Sequence, residues 1–163
     1  EFNNLRGSNF MLLKKFNSAI STLNKALELQ PNSSVALANR GSAYLELGKY
    51  ENALRDSLKA VSLDSSSSAA QGIAGASYFN CAQYQKALLC LNKAIELEPK
   101  NFEALHYRGK TYEKLGKKDL ALKDLAAAAA LGYAPDKSYT EIKDWRRNEQ
   151  ESKSGISKPT FRP

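Results

Sequence analysis

The chain has 163 residues, 42% hydrophobic and 25% charged, the make-up of a soluble globular unit rather than of a disordered or fibrous segment. Its longest apolar run, Leu125 to Leu131, falls far short of the roughly 20 residues that span a bilayer, and no apolar stretch resembling a signal peptide follows the N-terminus. One histidine and two cysteines that are not a close ligand pair, Cys81 and Cys90, argue against a zinc finger or a disulfide scaffold, so neither a metal nor a cofactor is expected. The net charge of +7 leaves nucleic acid open until the charges are placed.

In chain order, the sequence repeats itself every 34 residues. Glycine recurs at Gly7, Gly41, Gly75 and Gly109, and an aromatic residue at Phe10, Tyr44, Tyr78 and Tyr112. Alanine recurs twice, at Ala19, Ala53, Ala87 and Ala121 and at Ala26, Ala60, Ala94 and Ala128. A fifth and weaker column reads Pro31, Ser65, Pro99 and Tyr133. Four units follow, over about 1–33, 34–67, 68–101 and 102–134. Each is predicted to be a helical hairpin, as in Val35 to Leu47 and Tyr50 to Leu63, with Gly48-Lys49, Asn80 to Gln83 and Gly116-Lys117 between the helices. In the second helix Tyr50, Ala53, Leu54, Leu58 and Val61 share one face. The glycine and alanine columns let the two helices approach closely while the aromatic column fills the wider gap. Pro31 and Pro99 end the second helices, and the serines from Ser65 to Ser68 take that place in the second unit and can cap the next helix.

After the hairpins, Pro135 to Gln150 reads as a capping helix with one apolar and one charged side, and residues 151–163 read as a polar tail or linker. The chain starts with the first hairpin under way and without an initiator methionine, so it reads as a fragment of something longer, with Glu1-Phe2 a cloning remnant.

These columns resemble the tetratricopeptide repeat family over about residues 2–133. The family's first-helix tryptophan place holds Asn3, Leu37, Gln71 and Leu105; Arg6, Arg40 and Arg108 stand where leucine is usual; and Ser57 replaces a bulky residue, which points to a looser junction between the second and third units. The resemblance implies an all-α, right-handed superhelical solenoid of four hairpins plus a cap, residues 1–150. It also implies a concave groove, lined by the first helices, that holds a peptide or helix of a partner protein. By register the groove's candidate contacts are Asn39, Ser42, Ile73, Ala76, Phe79, Asn80, His106, Tyr107, Lys110 and Lys114, with Tyr107 the leading single contact. Its middle is small and apolar and its fourth-repeat end carries Lys110 and Lys114, which favours a partner with apolar and acidic residues.

Other readings are weighed on the same residues. Family members that clamp the carboxylate of a chaperone tail use two Lys, two Asn and one Arg; Asn39 falls on one of those places, but neither frame of three repeats keeps a cation there, so that use is disfavoured. His106 has no nucleophile that the sequence places beside it, so it reads as a partly exposed groove residue and the chain as a non-enzyme. Phe79 and Ile73 suit either the core or a ligand. Cys81 and Cys90 read as thiols of a reducing, cytoplasmic compartment. No repeat-length segment exceeds a net charge of +2, and the cations are interleaved with acids, so nucleic acid is not the expected partner. The competing function is a structural module that associates with itself.

Overall fold

Serine or asparagine before an apolar helical pattern starts a helix, and the chain does this every 34 residues. Ser33, Ser67 and Asn101 accept from the backbone N–H groups of Ala36, Ala70 and Ala104 at 3.3, 3.2 and 2.9 Å. The helices they open are α2 (Ser34–Glu46), α4 (Ser68–Asn80) and α6 (Phe102–Lys114), each followed by its hairpin mate, α3 (Tyr50–Leu63), α5 (Tyr84–Leu97) and α7 (Lys118–Ala130). All come from a computed structural model that describes residues 2–133, with side chains from Lys15 onward, together with Asp144, Arg147 and Gln150. Among the described residues the chain is all-helical, and no helix is long and apolar enough to cross a membrane.

The turn inside each hairpin needs one residue in the left-handed backbone region. Gly48 and Gly116 supply it at φ of 70° and 73°, where glycine meets no Cβ penalty, and Ala82 supplies it at φ of 57°. The first unit departs from expectation here. Residues 2–29 form one uninterrupted helix, α1 (Phe2–Leu29), so among the described residues three hairpins follow one long helix. The position in register with Gly48 and Gly116 is Lys14, inside Lys14-Lys15-Phe16, where a left-handed turn is disfavoured and lysine continues a helix well. The expected cap at 135–150 lies largely outside the described residues; Asp144, Arg147 and Gln150 are helical, and Arg147 Nη2 meets Asp144 Oδ1 at 2.9 Å.

Within each hairpin the two helices touch through the small-residue columns. Ala53, Ala60, Ala87, Ala94 and Ala121 have no exposed surface and Ala128 has 1%. A Cβ added at Gly75 would come within 2.5 Å of Leu91 Cγ, and one at Gly109 within 2.7 Å of Leu125 Cγ, which is why no side chain fits there. Ser57 stands in that leucine column. It is completely buried, its hydroxyl donates to the Leu54 carbonyl at 3.1 Å, and Ile73 of α4 lies 3.5 Å from where a Gly41 Cβ would be, so the second-to-third junction is filled where looseness was expected.

Two hairpins carry a further tie. Arg40 donates to both carboxylate oxygens of Asp56, at 2.6 and 2.8 Å, and to Asn24 Oδ1 at 2.8 Å. Sixty-eight residues on, Arg108 repeats the arrangement on Asp124 at 2.6 and 2.8 Å and on Asn92 at 3.0 Å. The arginines that replace the family's leucine are therefore the cationic halves of bidentate pairs whose aspartates are buried. Successive hairpins stack through α3 on α4 and α5 on α6, and α2, α4 and α6 meet side by side, which lines up the three first helices along one face of the solenoid.

Candidate functional site

Because α2, α4 and α6 lie side by side, equivalent positions on them form rows across one face, and the candidate residues fall on those rows. One row is Asn39, Ile73 and Tyr107, and the next is Ser42, Ala76 and Lys110. A cleft of about 330 Å³ opens between the rows, walled by Asn39 and Ser42 of α2, Ala69, Gly72 and Ile73 of α4, Glu98, Lys100 and Asn101 of the α5–α6 turn, and Phe102 and Glu103 at the start of α6. A smaller cleft of about 70 Å³ adjoins it, sharing Ser42, Gly72, Ile73 and Glu103 and adding Leu45, Glu46, Ala76, Tyr107 and Tyr133. Gly72 opens the floor of both, since a Cβ there would meet only the Asn101 side chain, at 3.8 Å.

Tyr107 is half-buried, with its ring 5.8 Å from Phe79 and 5.5 Å from His106. Burial raises the pKa of its phenol, as do Tyr133 and Glu46, while a hydrogen bond with the Asn80 side chain works the other way. Tyr107 therefore stays neutral and keeps its hydroxyl as donor and acceptor. Asn80 also donates to the Ala76 carbonyl at 2.8 Å, which holds its amide in place. Glu103 has its carboxyl pKa raised by burial in the cleft wall and then by the negative charge of Glu46. Glu46 of α2 and Glu103 of α6 bring two carboxylates to the smaller cleft, which makes a place where a cation gains and an anion loses.

The candidates therefore separate. Asn39, Ser42, Ile73, Ala76 and Tyr107 come together around the two clefts, and Asn80 joins them through its contact with Tyr107. Phe79 is half-buried against the core around Leu91, its ring tilted against Tyr84 at 5.8 Å and edge-on to Tyr107, so it backs the site. His106, expected as a partly exposed groove residue, is 8% exposed and lies against the Tyr133 ring at 4.5 Å. The lone imidazole is a packing element of the fourth repeat, because Tyr133 folds over it from beyond α7. Lys110 is half-buried and Lys114 exposed, and neither belongs to the walls of the two clefts.

Sequence reasoning missed Gly72, Glu46, Glu103 and Tyr133. The register held the signal for two of them: Glu46 is in line with Asn80 and Lys114, and Glu103 with Val35 and Ala69. Both thiols are half-buried and unpaired by disulfide, and burial raises their pKa, which favours the protonated thiol.

Comparison with known proteins bears on the whole array. Family models described as tetratricopeptide repeat match residues 1–33 and 22–55, and one described as TPR repeat matches residues 75–116. No curated protein matches the sequence. Among solved structures, a thermophilic TPR protein of Thermus thermophilus, TTC0263, is similar at TM-score 0.72 and 22% identity, over 98% of this chain and 92% of that one. MamA from Desulfovibrio magneticus is similar at TM-score 0.64 and 22% identity, over 77% and 71%. The TPR domain of Arabidopsis OM64 follows at 0.62 and 21%, over 72% and 96%. At such identities these likenesses speak to the fold alone.

Proposed function

Because the chain belongs to the tetratricopeptide repeat family, whose arrays serve as scaffolds for protein–protein interaction, we propose that it is a non-catalytic module holding a segment of a partner protein in the cleft between α2, α4 and α6. The observation that carries the reading is the paired clefts themselves. Three successive first helices contribute to one concavity with an apolar floor (Ile73, Ala76), an aromatic wall (Tyr107) and polar groups at its edge (Asn39, Ser42). An apolar anchor with a few convergent polar groups is what an extended or helical peptide requires.

The charge of the walls favours a basic residue in that peptide. Glu46, Glu98 and Glu103 face a single Lys100 across the two clefts. A lysine or arginine beside an apolar side chain fits there, and an acidic residue fits only where the partner continues past Tyr107 toward Lys110 and Lys114. The preference for acidic partners drawn from those two lysines thus moves to the edge of the site.

Selecting peptides on the 163-residue chain from a displayed library, then measuring affinity by fluorescence anisotropy, tests the proposal. Selected peptides are expected to pair Lys or Arg with an apolar residue. Gly72→Gln, which projects into both clefts and touches little else, and the charge reversal Glu46→Lys with Glu103→Lys are each expected to weaken them at least about tenfold. Peptides that bind both variants as tightly as the parent chain, with helical circular dichroism unchanged, would place recognition elsewhere.

A further inference from the structure

Four side chains that the repeat pattern does not call for meet at the smaller cleft. Glu46 ends α2, Glu103 lies at the start of α6 with Tyr107 one turn on, and Tyr133 follows α7. The positions in register with them hold Asn80 and Lys114, Val35 and Ala69, Asn39 and Ile73, and Ser65 and Pro99. Stacking the hairpins therefore requires neither the two carboxylates nor the two phenols at those places.

The carboxylates are close together and uncompensated. Burial and then the charge of Glu46 push the Glu103 carboxyl pKa up, so the two groups repel each other across one cleft. Neither forms an ion pair with a described residue, and none of the described residues lining the cleft is a lysine or an arginine. A cation placed between two such charges relieves the repulsion. The rest of the lining is largely aromatic and aliphatic. Tyr107 and Tyr133 both touch the His106 ring, at 5.5 and 4.5 Å between centroids, which ties the two phenols to one support, and Ile73 and Ala76 add apolar surface.

A cation that suits carboxylates and aromatic rings together is an alkylammonium. Carboxylates meet its charge, and aromatic rings attract it through their quadrupole. A guanidinium gains most from one carboxylate taken bidentately in its own plane, whereas a compact ammonium is met from several directions. Here the carboxylates come from two helices, which is the second arrangement. We propose that the smaller cleft seats the ammonium of a lysine side chain of the partner segment, and that it accepts methyl groups on that nitrogen. This rests on the reading that a partner segment occupies the two clefts. Methylation keeps the charge and turns N–H into apolar surface for the rings, while acetylation removes the charge and leaves Glu46 and Glu103 uncompensated. The seat thus separates two modifications of one residue, holding a methylated lysine and releasing an acetylated one.

NMR titration of the 163-residue chain with single capped amino acids, the N-acetyl methylamides of lysine, dimethyllysine, acetyllysine and arginine, tests it. The ring signals of Tyr107 and Tyr133 are expected to shift with lysine and with dimethyllysine at similar concentrations. Acetyllysine is expected to bind at least about tenfold more weakly, and arginine to fall between. Glu46→Gln with Glu103→Gln, which keeps the side-chain size and removes the charge, is expected to abolish the lysine shifts with helical circular dichroism unchanged. Acetyllysine or arginine that binds as tightly as lysine, dimethyllysine that binds as poorly as acetyllysine, or lysine shifts that survive the double variant overturn the proposal. Tyrosines that respond to no lysine probe overturn it too. The peptides selected by display keep this apart from the cleft reading. If Gly72→Gln weakens them while the lysine probes move neither tyrosine, the clefts hold a partner and the seat is wrong. If the probes move both tyrosines and the peptides ignore Gly72→Gln, the seat stands and the peptide path through the clefts falls.

Discussion

The α2–α3 and α4–α5 hairpins share a backbone and are closed by different chemistry. In the first, Arg40 grips Asp56 and the leucine column is reduced to Ser57. In the second, the same two places hold Ala74 and Cys90, no charge crosses the hairpin there, and closure comes from Leu91, fully buried against Gly75. The α6–α7 hairpin has both devices, the Arg108–Asp124 pair and Leu125 over Gly109. The glycine and alanine columns are common to all three, so they set how closely the helices approach. The remaining crossing positions accept either an ion pair or an apolar plug.

Removing one partner of an ion pair breaks this comparison most severely. Arg108→Met leaves the Asp124 carboxylate buried without its bidentate donor, and a loss of about 3 kcal/mol is expected in urea unfolding, with Arg40→Met similar. Changing both partners at once, Arg108→Ala with Asp124→Cys, writes the α4–α5 solution into α6–α7 and is expected to stay within about 1 kcal/mol of the parent, because nothing charged is stranded. A double variant as unstable as the single one would mean that the two chemistries are not interchangeable.

Packing gives the second contrast. Gly75→Ala drives a methyl to within 2.5 Å of Leu91 Cγ, and overpacking of about 1–3 kcal/mol is expected. Gly41→Ala meets the Ala53 carbonyl oxygen at 3.3 Å and Ile73 at 3.5 Å, so its cost is expected to stay below about 1 kcal/mol; Gly41→Leu, which cannot fit so near a backbone oxygen, returns to about 1–3 kcal/mol. Melting temperatures of the two alanine variants rank them. Equal losses would show that Ser57 leaves no more room above Gly41 than Leu91 leaves above Gly75.

Such differences also mark what could be read in the sequence. The column alanines and glycines announced the hairpin crossings because their signal is purely local: a small residue at a fixed interval. Arg40 and Arg108 were visible as departures from leucine. Their partners were not, because Asp56 and Asp124 lie sixteen positions away across a turn, and only the relative rotation of the two helices makes them face. The open first hairpin was hidden for a related reason. Ala82 makes the same left-handed turn without glycine, so Lys14 alone did not exclude one, and the outcome depended on whether the packing gained would outweigh the turn's strain. At the cleft, the rows through Asn39, Ile73 and Tyr107 followed from register. His106 did not, since its burial is imposed by Tyr133, a residue from the weakest column.

The smallest expected effect sharpens the comparison from outside it. Gly72 lies on α4, as Gly75 does, three residues earlier, yet it faces the cleft instead of the hairpin mate, and a Cβ there meets only Asn101 Nδ2 at 3.8 Å. With no steric term to oppose it, the helix preference for alanine over glycine should act alone, and Gly72→Ala is expected to stabilise the chain by about 0.5–1 kcal/mol. Two glycine-to-alanine changes within one turn of one helix would then move the unfolding midpoint in opposite directions. If Gly72→Ala destabilises instead, α4 is strained throughout, and the cost at Gly75 could no longer be assigned to Leu91.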